Sequence, residues 1–171
     1  MDRPGMLHLY WGDGKGKTTA AMGLALRALG RGWRVTVVQF FKDGTSGETE
    51  PLRQLGARVL ACPGPAKFSW EMTPAERERT RAAQDALLEE ALSLPCDLLV
   101  LDEACGALEA GLLDEALLKR AALDRPAGQE VVLTGRAPAP WMEERADYIT
   151  RMEGVRHPFD GGAPARRGVE Y

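Results

Sequence analysis

The sequence is poor in cysteine and has no long apolar run. Its three cysteines, Cys62, Cys96 and Cys105, are odd in number and show no C-x-x-C pairing. This pattern argues against a disulfide framework and against a structural zinc site, so we interpret the cysteines as buried or half-buried thiols. No segment approaches the roughly 20 apolar residues that a membrane helix needs. The sequence therefore predicts neither a disulfide scaffold nor a membrane-spanning protein.

An excess of positive charge is also missing. The formal net charge is −3, so there is no broad cationic field of the kind that holds a polyanion by counterion release. We therefore expect no nucleic acid partner. Residues 1–5 lack the charged start and the apolar run of a secretory signal, and the expected location is the cytoplasm.

What is present is the composition of an ordinary globular protein, with 44% hydrophobic and 27% charged residues. A chain of 171 residues accommodates one sizeable core. No internal repeat or linker divides the sequence. We predict a single domain over residues 1–171.

Apolar runs that are typical of strands alternate with helical patterns. Strands are predicted at 6–11, 34–40, 57–62, 97–103, 129–135 and 147–152. Helices are predicted at 17–31, after 49, from 73 to 94, at 114–123 and at 138–146. The runs at 97–103 and 129–135 are typical of buried parallel strands. This alternation predicts an α/β fold with a doubly wound sheet.

The start of one helix is marked by a specific signal. Thr73 is followed by Pro74 and Glu76, which resembles a capping box with proline at the first helical position. The apolar face of this helix is predicted to consist of Ala83, Ala86, Leu87, Ala91 and Leu94.

A glycine-rich stretch between the first predicted strand and helix is the strongest motif. It reads Trp11-Gly-Asp-Gly-Lys-Gly-Lys-Thr-Thr-Ala20 and fits the phosphate-binding pattern G-x-x-x-x-G-K-[ST], except that Trp11 replaces the first glycine. Gly12 is placed to make the first tight turn of a loop that is one residue shorter. The alternative interpretation is a glycine-rich turn that caps a helix and binds nothing.

Each part of this loop has a chemical role if it binds a nucleotide. Backbone amides at a helix N-terminus face an anion, and the helix dipole favours negative charge there. Lys17 is expected to reach the outer phosphates, and Thr18 to offer its hydroxyl to Mg²⁺. The predicted cofactor-binding residues of the loop are Gly12, Asp13, Gly14, Lys15, Gly16, Lys17, Thr18 and Thr19.

Two acidic residues end the predicted strand at 97–103. A hard cation beside the β- and γ-phosphates requires carboxylate oxygen, and Asp102 and Glu103 are placed to supply it. Neighbours on a strand point to opposite faces, so the spacing does not decide which of the two contacts the ion. Thr18, Asp102 and Glu103 are the predicted metal residues.

Several segments, taken in order, carry a resemblance to a known family. They are Gly12-Asp-Gly-Lys-Gly-Lys-Thr-Thr-Ala20, Val37-Val-Gln-Phe-Phe-Lys42, Phe68-Ser-Trp70, Val100-Leu-Asp-Glu103, Leu133-Thr-Gly-Arg136, His157-Pro-Phe-Asp-Gly161 and Gly168-Val-Glu-Tyr171. In order and spacing they resemble the ATP:corrinoid adenosyltransferases, which make adenosylated cobalamin precursors and cobalamin. The shortened glycine loop is also that family's own form.

The resemblance implies a P-loop NTPase-like three-layer sandwich with a mainly parallel central sheet. It also implies a reaction in which Co(I) of a corrinoid attacks the ribose 5′ carbon of ATP and triphosphate leaves. The substrates are then ATP and a corrinoid, with Mg²⁺ at the triphosphate. Lys17 is assigned a catalytic role, because it can stabilise the charge that builds on the leaving group.

Two aromatic residues in an irregular stretch receive a role from the same resemblance. Composition alone favours the packing of Phe68 and Trp70 on the core. In the family these aromatics insert beneath the corrin ring and exclude its lower axial ligand. Four-coordinate Co(II) then accepts an electron more readily. The resemblance therefore makes Phe68 and Trp70 catalytic residues.

Other residues are candidates of lower rank. Arg27, Gln39, Lys42 and Arg136 either face the ligand or form surface ion pairs. Arg27 and Arg136 complete the predicted cofactor-binding set, since Arg136 follows a predicted strand end. His8 is interpreted as a packed or edge histidine.

The resemblance also implies partners. We expect a homodimer and a reduced flavoprotein that donates electrons. The first predicted strand begins close to Met1, so we expect no preceding helix of the kind that covers a neighbouring subunit's site in longer members.

Two other functions share parts of this pattern. A nucleoside or small-molecule kinase would use the same loop and Mg²⁺ but would transfer the γ-phosphoryl group and release ADP. A non-catalytic ATP-dependent switch or corrinoid carrier would bind without forming a bond to cobalt. The sequence does not specify the corrinoid acceptor among early precursors, cobinamide and complete cobalamin.

Overall fold

The computed structural model describes residues 4–62, 69–162 and 164–169. In these residues, six strands form one sheet in the order β3-β2-β4-β5-β1-β6, and all neighbouring strands run parallel. The strands are β1 Leu7–Trp11, β2 Val35–Gln39, β3 Arg58–Ala61, β4 Leu98–Asp102, β5 Glu130–Gly135 and β6 Tyr148–Arg151. The predicted parallel sheet is confirmed.

Helices cover both faces of the sheet. They are α1 Lys17–Leu29, α2 Thr49–Gln54, α3 Pro74–Ser93, α4 Ala104–Glu109, α5 Glu115–Leu123 and α6 Pro140–Arg145, and short 3₁₀ helices lie at Ser69–Glu71 and Pro158–Gly161. One hydrophobic core lies between the sheet and α1 and α2, and a second lies between the sheet and α3 to α6. The predicted three-layer α/β sandwich is therefore confirmed. The short helix α4 was not predicted from the sequence.

The strand order brings the predicted site residues to one edge of the sheet. β5 lies between β1, which leads into the glycine loop, and β4, which ends in Asp102. Trp11 is paired with Gly135, and Gln39 with Asp102. Because all strands are parallel, their carboxyl ends meet at the same edge, where ligands bind in open α/β sheets.

The predicted start of α3 is confirmed, but its predicted apolar face is confirmed only in part, since Ala91 is buried and Leu87 packs against the core while Ala86 is exposed. Thr73 Oγ1 accepts from Glu76 N at 3.3 Å and Glu76 Oε2 accepts from Thr73 N at 2.7 Å, which completes the capping box. The buried residues are Thr80, Gln84, Leu88 and Ala91. Gln84 is tolerated there because its Nε2 donates to Leu112 O at 3.1 Å. The sequence analysis placed only apolar residues on this face of α3, so it did not predict that Gln84 is buried.

Other expectations about single residues are also confirmed. Cys62, Cys96 and Cys105 are free thiols that are buried or half-buried. His8 is packed: its Nε2 lies 2.9 Å from Glu130 Oε2, and its ring stacks on Tyr148 with centroids 4.6 Å apart. None of the helices described is both long enough and apolar enough to cross a bilayer.

The capping box makes a direct prediction about stability. Replacing Thr73 with Ala removes the acceptor for Glu76 N, so we expect Thr73→Ala to lower the free energy of unfolding by about 1 kcal/mol. Urea unfolding with an unchanged m-value measures this difference. Thr73→Ser keeps the hydroxyl and should stay within about 0.5 kcal/mol of the parent. Equal losses in both variants would contradict a capping role.

Candidate nucleotide-binding site

The glycine loop connects β1 directly to α1. Gly12 and Gly16 have φ angles of 117° and 122°, which only glycine adopts without strain. Gly12 N lies 3.2 Å from both Gly135 O and Arg136 O, so the first turn of the loop is held by the end of β5. The structure therefore places the first tight turn at Gly12.

Trp11 still belongs to the strand. It pairs with Gly135 and Arg151 in the neighbouring strands, and the Arg151 guanidinium carbon lies 5.1 Å from the centre of its ring. At this distance the cation faces the aromatic ring favourably. A side chain in place of the usual first glycine thus causes no conflict, since the backbone turns one residue later.

The segment that follows β6 crosses the loop at close range. Gly14 N donates to Met152 O at 2.8 Å, and Gly154 N donates to Asp13 Oδ1 at 3.2 Å. A Cβ on Gly14 would lie 2.6 Å from the carbonyl carbon of Glu153. Gly14 is therefore required by this close approach and not by its φ angle. The hydrogen bond from Gly154 N lowers the pKa of Asp13.

The lysines of the loop contact backbone carbonyls. Lys17 Nζ donates to Gly14 O at 2.7 Å, and Lys15 Nζ donates to Val169 O at 2.7 Å. Burial lowers the pKa of Lys17, while the charge of Glu103 acts in the opposite direction. Thr19 is exposed in the first turn of α1. Lys17 thus lies at the loop beside an acidic residue, whereas Lys15 points to the C-terminal segment.

Asp102 is the most enclosed charged group of the site. Its side chain is fully buried. Oδ1 accepts from Thr18 Oγ1 at 2.9 Å and from Thr134 Oγ1 at 2.8 Å, and Oδ2 accepts from Lys42 Nζ at 2.7 Å. One carboxylate therefore connects the start of α1, the end of β5 and the loop after β2.

Glu103 follows at a sharp backbone turn. Its φ of 64° is left-handed, which is uncommon for a residue with a side chain, and its N–H donates to Thr134 Oγ1 at 2.9 Å. Burial raises the pKa of Glu103, and the charge of Asp102 raises it further. Lys42, Lys17 and Arg136 act against this shift. The Glu103 carboxyl group therefore lies within the electrostatic reach of both the loop lysine and Arg136.

The oxygen donors of this site fit Mg²⁺. The Thr18 hydroxyl proton is directed to Asp102, which leaves the oxygen lone pairs available to a cation. Mg²⁺ prefers oxygen ligands, and it typically takes only one or two carboxylates in addition to phosphate oxygens and water. In residues 4–62, 69–162 and 164–169, no group of three or more His, Cys, Asp and Glu residues could hold a metal ion. A cation here would therefore depend on ligands from a nucleotide.

The chain matches a model of the family described as ATP:corrinoid adenosyltransferase BtuR/CobO/CobP over residues 3–171. It belongs to this family. The chain is therefore an enzyme of the transferase class that acts in corrinoid metabolism, and the resemblance found in the sequence is confirmed.

Relatives of known name agree with the family. The corrinoid adenosyltransferase of Pseudomonas aeruginosa is 40% identical, with 99% of this chain and 85% of the relative aligned. That of Escherichia coli strain K12 is 36% identical, covering 99% and 87%. Corrinoid adenosyltransferase CobA of Salmonella typhimurium is 35% identical, covering 98% and 86%. A solved structure of the calicheamicin glycosyltransferase CalG4 aligns with a TM-score of only 0.42 over 37% of its length, which says nothing about the reaction.

The enzyme brings most of its predicted site residues together. The glycine loop, Lys17, Thr18, Asp102, Glu103 and Arg136 all lie at the carboxyl edge of the sheet. Arg27 does not join them: it lies in the last turn of α1, about 15 Å along the helix axis from Lys17. Its charge instead acts on Tyr10, whose pKa burial raises.

The predicted aromatic pair is described only in part. Trp70 lies in the 3₁₀ helix before α3 and is 76% exposed. It is therefore not a core residue, which was the alternative left open by composition. Phe68 lies outside the described residues.

Sequence reasoning missed Thr134 and the segment 152–154, and it named Lys42 as a candidate without its partner. Thr134 connects Asp102 to the Glu103 backbone, Lys42 pairs with Asp102, and the segment 152–154 covers the loop. For Thr134 a signal existed, since it is a lone hydroxyl residue at the end of an apolar run. The other two depend on contacts between distant parts of the chain.

The raised pKa of Glu103 predicts a pH-dependent stability. Because the folded state binds this proton more tightly than the unfolded chain does, ionisation of Glu103 costs stability as the pH rises through the folded pKa. In a chelator-containing buffer, Glu103→Gln should therefore melt at a higher temperature than the parent at about pH 8. The difference should shrink as the pH falls toward about 5.

The control for this experiment is Glu109→Gln, on the exposed end of α4. We expect no pH-dependent difference from the parent in this variant. If Glu103→Gln melts at the parent's temperature at every pH, or at a higher temperature only in acid, then ionisation of Glu103 does not lower the stability of the parent.

Proposed function

We propose that the enzyme transfers the 5′-deoxyadenosyl group of ATP to the Co(I) centre of a corrinoid and releases triphosphate. The electron pair of Co(I) forms the bond to the 5′ carbon, and the bond from that carbon to the triphosphate oxygen breaks with its electrons on the leaving group. The observation that carries the proposal is the contact between Thr18 and Asp102 beside the glycine loop. This contact joins an anion-binding turn to an acidic site for a cation.

The glycine loop binds the triphosphate in this proposal. The amides at the start of α1 and the Lys17 ammonium stabilise the negative charge that grows on the leaving group. Lys17 exchanges its hydrogen bond to Gly14 O for phosphate oxygen. Asp13, Lys15 and Thr19 flank this site, and Arg136 adds a positive charge near Lys17 and Glu103.

Thr18, Asp102 and Glu103 hold Mg²⁺ in this proposal. When bound, the ion neutralises charge on the triphosphate and so makes it a better leaving group. Asp102 is already oriented by two hydroxyl groups, and Glu103 by the backbone turn that Thr134 supports. The proposal therefore requires only small movements of these side chains.

We assign corrinoid binding to the two aromatic residues. The exposure of Trp70 supports a ligand-facing role, because a large aromatic ring on the surface is available to bury against a macrocycle. Phe68 is assigned the same role by the resemblance alone. Together they exclude the lower axial ligand, which makes Co(II) easier to reduce. Positioning cobalt in line with the 5′ carbon is worth up to about 7–11 kcal/mol for ideal orientation.

The remaining parts of the proposal concern the setting of the reaction. We propose that the enzyme acts as a homodimer in the cytoplasm, in cobalamin biosynthesis or salvage, with a reduced flavoprotein as electron donor and with residues 1–171 as one domain. Arg27 lies far from the glycine loop along α1 and stays a prediction. Light scattering tests the dimer, and a fully active monomer would remove it from the proposal.

The products distinguish this reaction from its rivals. Anaerobic incubation with ATP, Mg²⁺ and a pre-reduced corrinoid should give an adenosylated corrinoid and triphosphate in equal amounts. Absorbance follows the corrinoid, and ion chromatography identifies the phosphate product. ADP in place of triphosphate would instead identify a kinase, and bound but unchanged substrates would identify a carrier.

The aromatic pair predicts a defect that depends on the cobalt oxidation state. Phe68→Ala and Trp70→Ala should each slow adenosylation from Co(II) by at least about tenfold, or about 1.4 kcal/mol, with unchanged affinity for ATP. With chemically reduced Co(I) the defect should be much smaller, because the electron transfer step is bypassed. Leu55→Ala, at an exposed site after α2, is the control. Unchanged rates from Co(II) in both aromatic variants would refute this role.

A further inference from the structure

We propose that Lys42 is the counter-ion of Asp102 in the nucleotide-free enzyme and leaves this carboxylate when Mg²⁺ and ATP bind. The inference rests on the proposed function, because it concerns the predicted Mg²⁺ site. Lys42 is then a positioning residue that acts through Asp102 and touches no reacting atom.

The burial of Asp102 requires a compensating charge. The Asp102 carboxylate is fully buried, and among residues 4–62, 69–162 and 164–169 its Oδ1 accepts hydrogen bonds only from the neutral hydroxyls of Thr18 and Thr134. A buried carboxylate without a charged partner is strongly unfavourable. Lys42 Nζ lies 2.7 Å from Oδ2 and supplies this partner.

The backbone after β2 is shaped to deliver this lysine. Phe40 N donates to Asp102 O at 3.1 Å, which extends the pairing of β2 with β4 beyond Gln39. Phe41 then has a φ of 61°, an uncommon left-handed conformation for a residue with a side chain. The chain thereby turns at the end of β2, and Lys42 reaches back to the end of β4.

The other charges near Asp102 are already engaged or directed elsewhere. Lys17, at the start of α1, donates to Gly14 O. Arg136, after β5, acts on Glu103 and Lys17. Glu103 carries the same charge as Asp102 and cannot compensate it. Lys42 is thus the cation whose ammonium group is in direct contact with the buried carboxylate.

This contact competes with metal binding. The Thr18 hydroxyl and the Asp102 carboxylate are the predicted cation ligands, and a divalent cation among them repels an ammonium group that lies 2.7 Å from the same carboxylate. Lys42 retains 28% side-chain exposure, so its ammonium group can move toward solvent without disturbing the core. In the nucleotide-free state, Lys42 therefore compensates the charge of Asp102 and orients its carboxylate, and it lowers the affinity for Mg²⁺.

A stability cycle in chelator-containing buffer tests the counter-ion role. Lys42→Met should lower the melting temperature by about 5 °C or more, because it leaves Asp102 buried and unpaired. The double variant Lys42→Met/Asp102→Asn should regain most of this loss. The control is Lys119→Met, which removes a lysine paired at the same close range with Glu115, 2.9 Å away, on an exposed helix face. It should melt close to the parent.

The outcomes of the cycle are distinct. An equal loss in Lys42→Met and Lys119→Met, or a loss that Asp102→Asn does not relieve, would overturn the proposal. If Lys42→Met does not fold but the double variant does, the counter-ion role is supported, and Lys42→Gln replaces Lys42→Met in the binding experiment.

Calorimetric titration with ATP tests the competition. For each variant, the dissociation constant in chelator is divided by that in Mg²⁺, which cancels any direct attraction of Lys42 for ATP that acts in both buffers. This ratio should be about tenfold larger in Lys42→Met than in the parent, and unchanged in Lys119→Met. An unchanged or smaller ratio in Lys42→Met overturns the inference.

The variant Asp102→Asn distinguishes a failure of the Lys42 inference from a failure of the predicted Mg²⁺ site. If Asp102→Asn reduces the ratio but Lys42→Met does not increase it, the predicted Mg²⁺ site stands and only the role of Lys42 fails. If the parent itself binds ATP equally well in chelator and in Mg²⁺, both the inference and the predicted metal site fail.

Discussion

The site depends on one carboxylate that is excluded from solvent. Asp102 accepts hydrogen bonds from the hydroxyl groups of Thr18 and Thr134 and from the ammonium group of Lys42. A buried charge must be satisfied by its neighbours, so the three elements that supply these donors are held in fixed positions relative to β4. The Asp102 carboxylate therefore fixes these elements before any substrate binds, as the electrostatic stabilisation in the proposed reaction requires.

The conformation of the glycine loop is also constrained, in this case by close packing against the chain that follows β6. Gly14 is crowded by the chain at Glu153, and its amide is engaged by Met152 O. Lys17 is bound to Gly14 O. In the proposed function, nucleotide binding replaces these hydrogen bonds, so that breaking them offsets part of the interaction energy with phosphate. The proposed reaction needs no side-chain nucleophile, and the residues gathered here are suited to binding and charge stabilisation.

Much of the fold was predictable because its signals are local. Apolar runs identified the strands, and the capping box identified the start of α3. The buried face of α3 was predicted only in part, because Gln84 is accepted in the core through a hydrogen bond to Leu112 O that no sequence pattern reveals. In the site, the loop and the two acids were predictable, but the pairing of Lys42 with Asp102 was not. That pairing needs the neighbouring positions of β2 and β4 and the left-handed turn at Phe41.

The short strand β6 has a consequence for the behaviour of the whole loop. All four of its residues are exposed, and in the part of the chain that the structure describes it pairs only with β1, at the border of the sheet. Peripheral strands of this kind separate from their sheet more readily than central ones. Since the chain leaving β6 supplies the Met152 carbonyl that accepts from Gly14 N, fraying at this border would also release a hydrogen bond of the glycine loop. The position of the glycine loop thus depends in part on hydrogen bonds that follow a strand at the edge of the sheet.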